Sequence, residues 1–248
     1  MQVPFPLCEV NQFSNLLKLK VSPQHLNDEL ILLLGGTRLL QLHIVQDAYT
    51  CACEAVSGEA WKLFKEMAPH KRVFLEVQGR TKTPLMLQPH APVRGVIFRT
   101  PYHRLQPEVT TWLVEYYGRY LEYFVQEGLP RAHGSRKFSE RADESFLRLA
   151  RACRHLHTLV IRERISLATL LLLAKEGRSL RSLIVRKNAL IKKCEWPRAS
   201  HWSQDFHGWL RQNGRNYDLA FEQMPRLLGQ RWKPTVDRAF KHIRMHIT

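Results

Sequence analysis

Side chains able to bind a metal or attack a substrate are plentiful in this chain, with 12 His, 5 Cys and 22 Asp and Glu, but their spacing suits neither task. Cys51 and Cys53 form a Cys-x-Cys pair in "TCACEA", with His43 upstream. Zinc sites favour Cys-x-x-Cys, whose two thiolates reach one tetrahedral ion, so the pair reads as structural or surface cysteines. His155 and His157 in "RHLHTL" read as ordinary structural residues on opposite faces of a strand. The sequence has no GxSxG, HExxH, Walker or GxGxxG pattern, so an enzyme finds no support in it, and no catalytic residue, cofactor or metal is expected. Trp196, Trp202, Trp209 and Trp232 suggest either an aromatic cage or the core of a helical cap. The recurrence of Phe206, Trp209 and Leu210 at helical spacing favours the core, with Trp209 largely buried.

Arginines are more informative, because a guanidinium grips a carboxylate or phosphate through two parallel hydrogen bonds. Whether Arg99, Arg162 and Arg186 act together depends on the elements that carry them. In "LRSLIVRKNAL", Leu180, Leu183 and Val185 are apolar and Asn188 follows. The spacing returns at Leu16/Leu19/Val21, Leu39/Leu42/Ile44, Val93/Val96/Phe98, Tyr120/Tyr123/Val125 and Leu156/Leu159/Ile161. A poorer copy runs through Leu75 and Val77, with Arg72 at its first position. Starts about 21 to 36 residues apart fit a long, irregular leucine-rich repeat with one strand and one helix per unit.

Between the strands, segments 26–34, 59–67, 108–117, 142–152 and 167–176 have helical patterning, and Gly35-Gly36 and Gly177 are good helix stops. Ser166 is a suitable N-cap for "LATLLLLAKE". The expected fold is therefore α/β: a leucine-rich-repeat solenoid over residues 1–194, with parallel strands on the concave face and helices outside. Segments 46–58 and 126–140 interrupt the stacking. Residues 195–248 read as a Trp-rich C-terminal helical cap, with Ser203 as an N-cap and a last helix over 234–243 begun by Pro234.

In each strand, the residue between the last two consensus positions points away from the helices. That column reads Lys20, His43, Glu76, Ile97, Phe124, Val160, Ile184, and its neighbour reads Ser22, Val45, Gln78, Arg99, Gln126, Arg162, Arg186. Ile97, Phe124, Val160 and Ile184 thus form an apolar stripe flanked by Arg99, Arg162 and Arg186. This is the surface expected to bind an acidic or phosphorylated protein, with Arg162 and Arg186 dispensable for folding. The competing expectation is that the C-terminal tail or the loop after Gln126 folds over the stripe.

Composition bounds the partners. The net charge of +16 is unevenly placed: residues 1–130 hold 13 Lys and Arg against 12 Asp and Glu, whereas residues 131–248 hold 25 against 10. A field of that sign favours an acidic protein partner and leaves nucleic acid as the alternative. No apolar run reaches the length of a membrane span and no signal peptide is legible, so no membrane partner is expected. Cys8, Cys51, Cys53, Cys153 and Cys194 are odd in number and make no disulfide-capped pattern. That suits a reducing compartment, cytoplasmic or nuclear.

The units "FSNLLKLKVSPQHLNDELILLL" and "CRHLHTLVIRERISLATLLLLAKEGRSLRSLIVRKNALI", with the "CEWPR" and "LLGQRW" tail, resemble the leucine-rich region of the F-box only protein family, nearest its 33 and 39 types. The resemblance implies a non-catalytic substrate receptor of an SCF-type ubiquitin ligase, whose repeats hold the substrate while an F-box docks on the Skp1 adaptor and its cullin. No F-box of the Leu-Pro-x-Glu kind precedes residue 13. The Skp1/cullin complex is therefore expected only through a missing F-box segment, and Skp1-binding residues transfer to no position here.

Overall fold

Short apolar-alternating runs with β-branched residues become the strands β1 (Lys18–Val21), β2 (Gln41–Gln46), β3 (Arg72–Gln78), β4 (Val93–Arg99), β5 (Tyr123–Gln126), β6 (Thr158–Ile161), β7 (Ile165–Ser166), β8 (Ser182–Val185) and β9 (Leu190–Ile191). The computed structural model describes residues 15–131 and 134–245. The expectations for Cys8 and for the segment before residue 15 lie outside the described residues. Seven strands form one sheet in the order β1-β2-β3-β4-β5-β6-β8, and every neighbouring pair is parallel. β7 and β9 form a separate two-stranded ladder.

Parallel neighbours need a crossover, and most crossovers here are helical. α1 (Asp28–Gly36) joins β1 to β2, α2 (Gly58–Met67) joins β2 to β3, α3 (Pro107–Tyr117) joins β4 to β5, α4 (Asp143–Ala152) joins β5 to β6, and α5 (Leu167–Glu176) lies between β7 and β8. Residues 79–92 cross from β3 to β4 without a helix. The helices start where side chains replace the missing acceptors for their first amides: Asn27 accepts from Leu30 N at 2.8 Å, Ser57 from Ala60 N at 3.1 Å, and Ser166 from Thr169 N at 3.1 Å. α1 ends on a buried cation. Lys71 Nζ donates to the carbonyls of Leu34, Gly35 and Thr37 at 2.6–2.8 Å, covering the negative end of the helix dipole.

The helices pack on one face of the sheet. Val21, Ile44, Leu75, Val96, Phe124, Leu159 and Leu183 from the strands meet Leu30, Phe64, Leu113, Phe146 and Leu170 from the helices in one buried cluster. Each fully buried aliphatic side chain contributes roughly 1.5–3 kcal/mol. Every residue of α5 from Leu167 to Ala174 is buried, and a helix apolar all round needs cover on both sides. The sheet supplies one side. The other comes from α6 (Gln204–Asn213) and α7 (Tyr217–Leu228). No helix among the described residues is long and apolar enough to cross a membrane.

Two details of the cap differ from expectation. Trp202 is buried, whereas Trp209 is half-buried and stacks on Phe206 with ring centroids 5.6 Å apart. Trp196 and Trp232 pack against the same core, and their indole N–H groups donate to Thr169 Oγ1 and Leu183 O at 2.8 and 2.7 Å. The expected helix over 234–243 shrinks to one turn, α8 (Asp237–Phe240). Thr235 N donates to Val185 O and Thr235 O accepts from Lys187 N, so this segment extends the β8 edge before the chain turns onto the open face of the sheet.

Candidate functional site

Strand pairing fixes which side chains share a row on that open face. Lys20 lies opposite His43 and His43 opposite Phe74. Two residues on, Val45, Glu76, Ile97, Val125, Val160 and Ile184 form a second row. Phe124 is therefore corrected: it aligns with Val96 and Leu159, faces the helices, and packs on Phe146 at 6.0 Å. The unit reads Leu121/Phe124/Gln126 rather than Tyr120/Tyr123/Val125, and the polar Gln126 at an inward position concealed it. Lys20 and His43 also sit one row away from Glu76, because β3 pairs with Arg72 opposite Gln41 and the register shifts between β3 and β4.

Ile97 and Val160 keep their expected orientation, but neither is free. With Phe74 and Val125 they lie under Phe240, all fully buried, and Ile184, Ile243 and Met245 pack around them. The C-terminal tail thus covers the stripe, which was the competing expectation.

The flanking arginines are also engaged. Arg99 bridges two carboxylates, with Nε 3.0 Å from Glu76 Oε2 and one terminal nitrogen 2.7 Å from both oxygens of Glu127. Glu76 is buried and also meets His43 Nδ1 at 2.5 Å. Burial alone would raise the Glu76 pKa, but hydrogen bonds from His43 and Arg99 hold it well below the usual carboxylate range. Arg186 forms a two-pronged pair with Asp237 of the tail, both contacts 2.8 Å. Arg162 is fully buried and donates to three backbone carbonyls, of Thr100, Glu127 and His103. Burial lowers its pKa to about 10, against the pull of Glu163. The expectation that Arg162 and Arg186 are dispensable for folding is corrected: both tie loops or tail to the sheet.

Arg162 and Arg186, but not Arg99, line a cleft of about 360 Å³ at the carboxyl ends of β4, β5, β6 and β8. In open parallel sheets this is the end where loops build ligand sites. Around the rim stand Arg104, Arg131 and Arg164, and none of them is in an ion pair among the described residues. Arg131 lies over the Tyr102 ring at 5.4 Å and donates to its hydroxyl, while Arg164 donates to Gly134 O at 2.5 Å. Burial first, then the like charges of Arg136 and Arg186, lower the Arg164 pKa. Arg141, on the opposite wall, is neutralised by Asp143 at 2.7 Å and Glu195 at 2.6 Å. Glu140 and Glu163 also line the cleft, but the arginines outnumber them, so the rim keeps a cationic excess suited to a carboxylate or phosphate.

The sequence pattern did not single out Arg104, Arg131 or Arg164, which lie in the loops after the strands. Their shared signal is position, each within a few residues of a strand's carboxyl end. Among the described residues, no group of three His, Cys, Asp or Glu side chains is placed to hold a metal. Set against protein-family models and curated proteins, the chain matches none.

Proposed function

We propose that this chain is a non-catalytic recognition module, a leucine-rich-repeat solenoid that holds an acidic or phosphorylated segment of a protein in the arginine-rimmed cleft. Support for the solenoid comes from strands that pair in chain order and align Leu19 with Leu42 and Leu159 with Leu183. The observation that carries the function is the rim itself: Arg104, Arg131 and Arg164 face one concavity, none in a direct ion pair among the described residues, and they outnumber Glu140 and Glu163, the carboxylates in its lining. Together with the resemblance to the F-box only family, this favours the substrate arm of an SCF-type ubiquitin ligase, joined to Skp1 and cullin through an F-box segment.

The test has two parts. Titration of a labelled acidic peptide, with and without a phosphoserine, should show the phosphorylated form binding more tightly. Arg104→Ala/Arg164→Ala should then weaken that binding about tenfold or more, as expected for loss of charge-assisted contacts. Capture from cells followed by mass spectrometry should recover Skp1 and cullin when an F-box segment is joined to the chain. Equal binding by the double variant would move the partner site elsewhere, and recovery of substrates without ligase subunits would remove the ligase assignment.

A further inference from the structure

We infer a second binding groove, at the amino ends of the strands, that holds the phosphate backbone of a nucleic acid strand. Parallel pairing builds its floor. The amides of Glu122, His157 and Arg181 donate to the carbonyls of Arg94, Glu122 and His157 respectively, so these residues form one row across β4, β5, β6 and β8. The turns entering β6 and β8 bring Arg154 and Arg178 alongside, joined by Ser179 Oγ donating to Arg154 O. The result is a trough of about 560 Å³.

Arg154, Arg178 and Arg181 are exposed, and among the described residues their side chains make no hydrogen bond or ion pair. Glu122 is the one carboxylate lining the trough, and it is paired with Arg94. Like charges gathered in a concavity repel one another and focus a positive potential, a field that an anion relieves.

Shape distinguishes the kinds of anion. The trough does not close: Arg154, Arg178 and Ser179 also line a wider cleft of about 1080 Å³ that continues past Lys175. In that cleft Glu176 is held by Arg151. A path of separated cations suits a polymer with charge at intervals rather than a single phosphate. Of the trough's lining residues, only Tyr123 and Leu180 carry apolar bulk, too little for the anchors on which peptide recognition rests. A concave surface with so little apolar bulk is equally unsuited to a bilayer. Apart from the exposed His155 imidazole, the nearby rings are engaged: Tyr123 meets His157 edge-on at 4.5 Å, Trp202 is buried, and Phe206 lies under Lys175 at 4.3 Å. Recognition is therefore of phosphates and not of stacked bases.

This inference stands independently of the ligase reading. The probes are fluorescent oligothymidylate and oligouridylate of about 12 nucleotides, within the site sizes that single-strand grooves use, followed by anisotropy over a salt series. Both should bind with similar Kd. Arg154→Ala/Arg178→Ala/Arg181→Ala should weaken binding at low salt at least about tenfold and flatten the slope of log K against log salt by about 2, from about 0.7 for each lost contact. Lys62→Ala, an exposed cation on α2 outside both clefts, should bind like the parent, and circular dichroism should show all variants folded. The inference is overturned if neither oligonucleotide binds, if the triple variant keeps the parent's affinity and slope, or if vesicles containing phosphatidylserine bind while the oligonucleotides do not.

Discussion

At the carboxyl end of the sheet, Arg141, Arg162 and Arg186 are buried and saturated with acceptors; at the amino end, Arg154, Arg178 and Arg181 stand in solvent with none. The residue type is the same, so the difference lies in what the chain brings nearby. The carboxyl end is served by long connections, such as residues 127–142, and by the returning tail with Asp237. These supply carbonyls and carboxylates enough to desolvate a guanidinium without orphaning its donors. At the amino end, the short turns 153–157 and 177–181 link helix to strand and have no such surplus. A charged side chain near a sheet edge is therefore structural or available according to the loop beside it.

Replacing Arg162 is the most forceful way to break this comparison. Arg162→Leu strips the donor from three carbonyls in two loops and should lower the unfolding free energy in urea by about 3–5 kcal/mol. A loss below about 1 kcal/mol would place Arg162 with the solvent-facing arginines.

Acid should sharpen the contrast next. The folded pKa of Glu76 lies below its unfolded value of 4.5, so its contribution is fully present above that pH and drains away as the pH falls below it. Stability of the parent should decline there with a slope from this one group of at most about 1.4 kcal/mol per pH unit. Glu76→Gln should flatten this limb. Parallel acid limbs in the two proteins would mean that the Arg99–Glu76–His43 chain contributes no linkage.

The smallest effect is expected at the amino end. Arg154→Ala/Arg178→Ala/Arg181→Ala should shift stability by no more than about 0.5 kcal/mol, as for surface residues without partners. A loss above about 1.5 kcal/mol would reveal that these arginines also hold the fold together.

Much of the architecture was legible because apolar spacing reports on burial directly. The helices over 26–34, 59–67, 108–117, 142–152 and 167–176 lie where the pattern put them, and Ser166 and Ser203 cap as expected. Phe124 was misplaced because Gln126 takes an inward position through its own hydrogen bonds, its amide donating to Glu163 and its carbonyl oxygen accepting from Arg162 N. A hydrophobic pattern is blind to a polar residue satisfied that way. The fates of Arg186 and the apolar stripe depended on Asp237 and Phe240, supplied by a tail with no periodicity of its own. The amino-end groove has a signal readable in the sequence: Arg154 and Arg178 each stand two residues before a buried leucine, Leu156 and Leu180, at the entry to a strand. His155 and His157 were placed on opposite faces, whereas both line the groove. Residues two apart in extended chain return to the same side, and His155 precedes the strand.

The tail that seals the open face also sets an order of events during synthesis. Phe74, Ile97, Val125 and Val160 are buried under Phe240, and Met245 N donates to Glu127 Oε1 across 118 positions of sequence. On a translating ribosome the strands bearing the stripe are made before its cover. At about 5–20 residues per second, the interval between residues 160 and 240 lasts about 4–16 s. Throughout it the nascent chain displays a ready-made apolar strip, a surface for chaperones to occupy and for neighbouring chains on the same message to find.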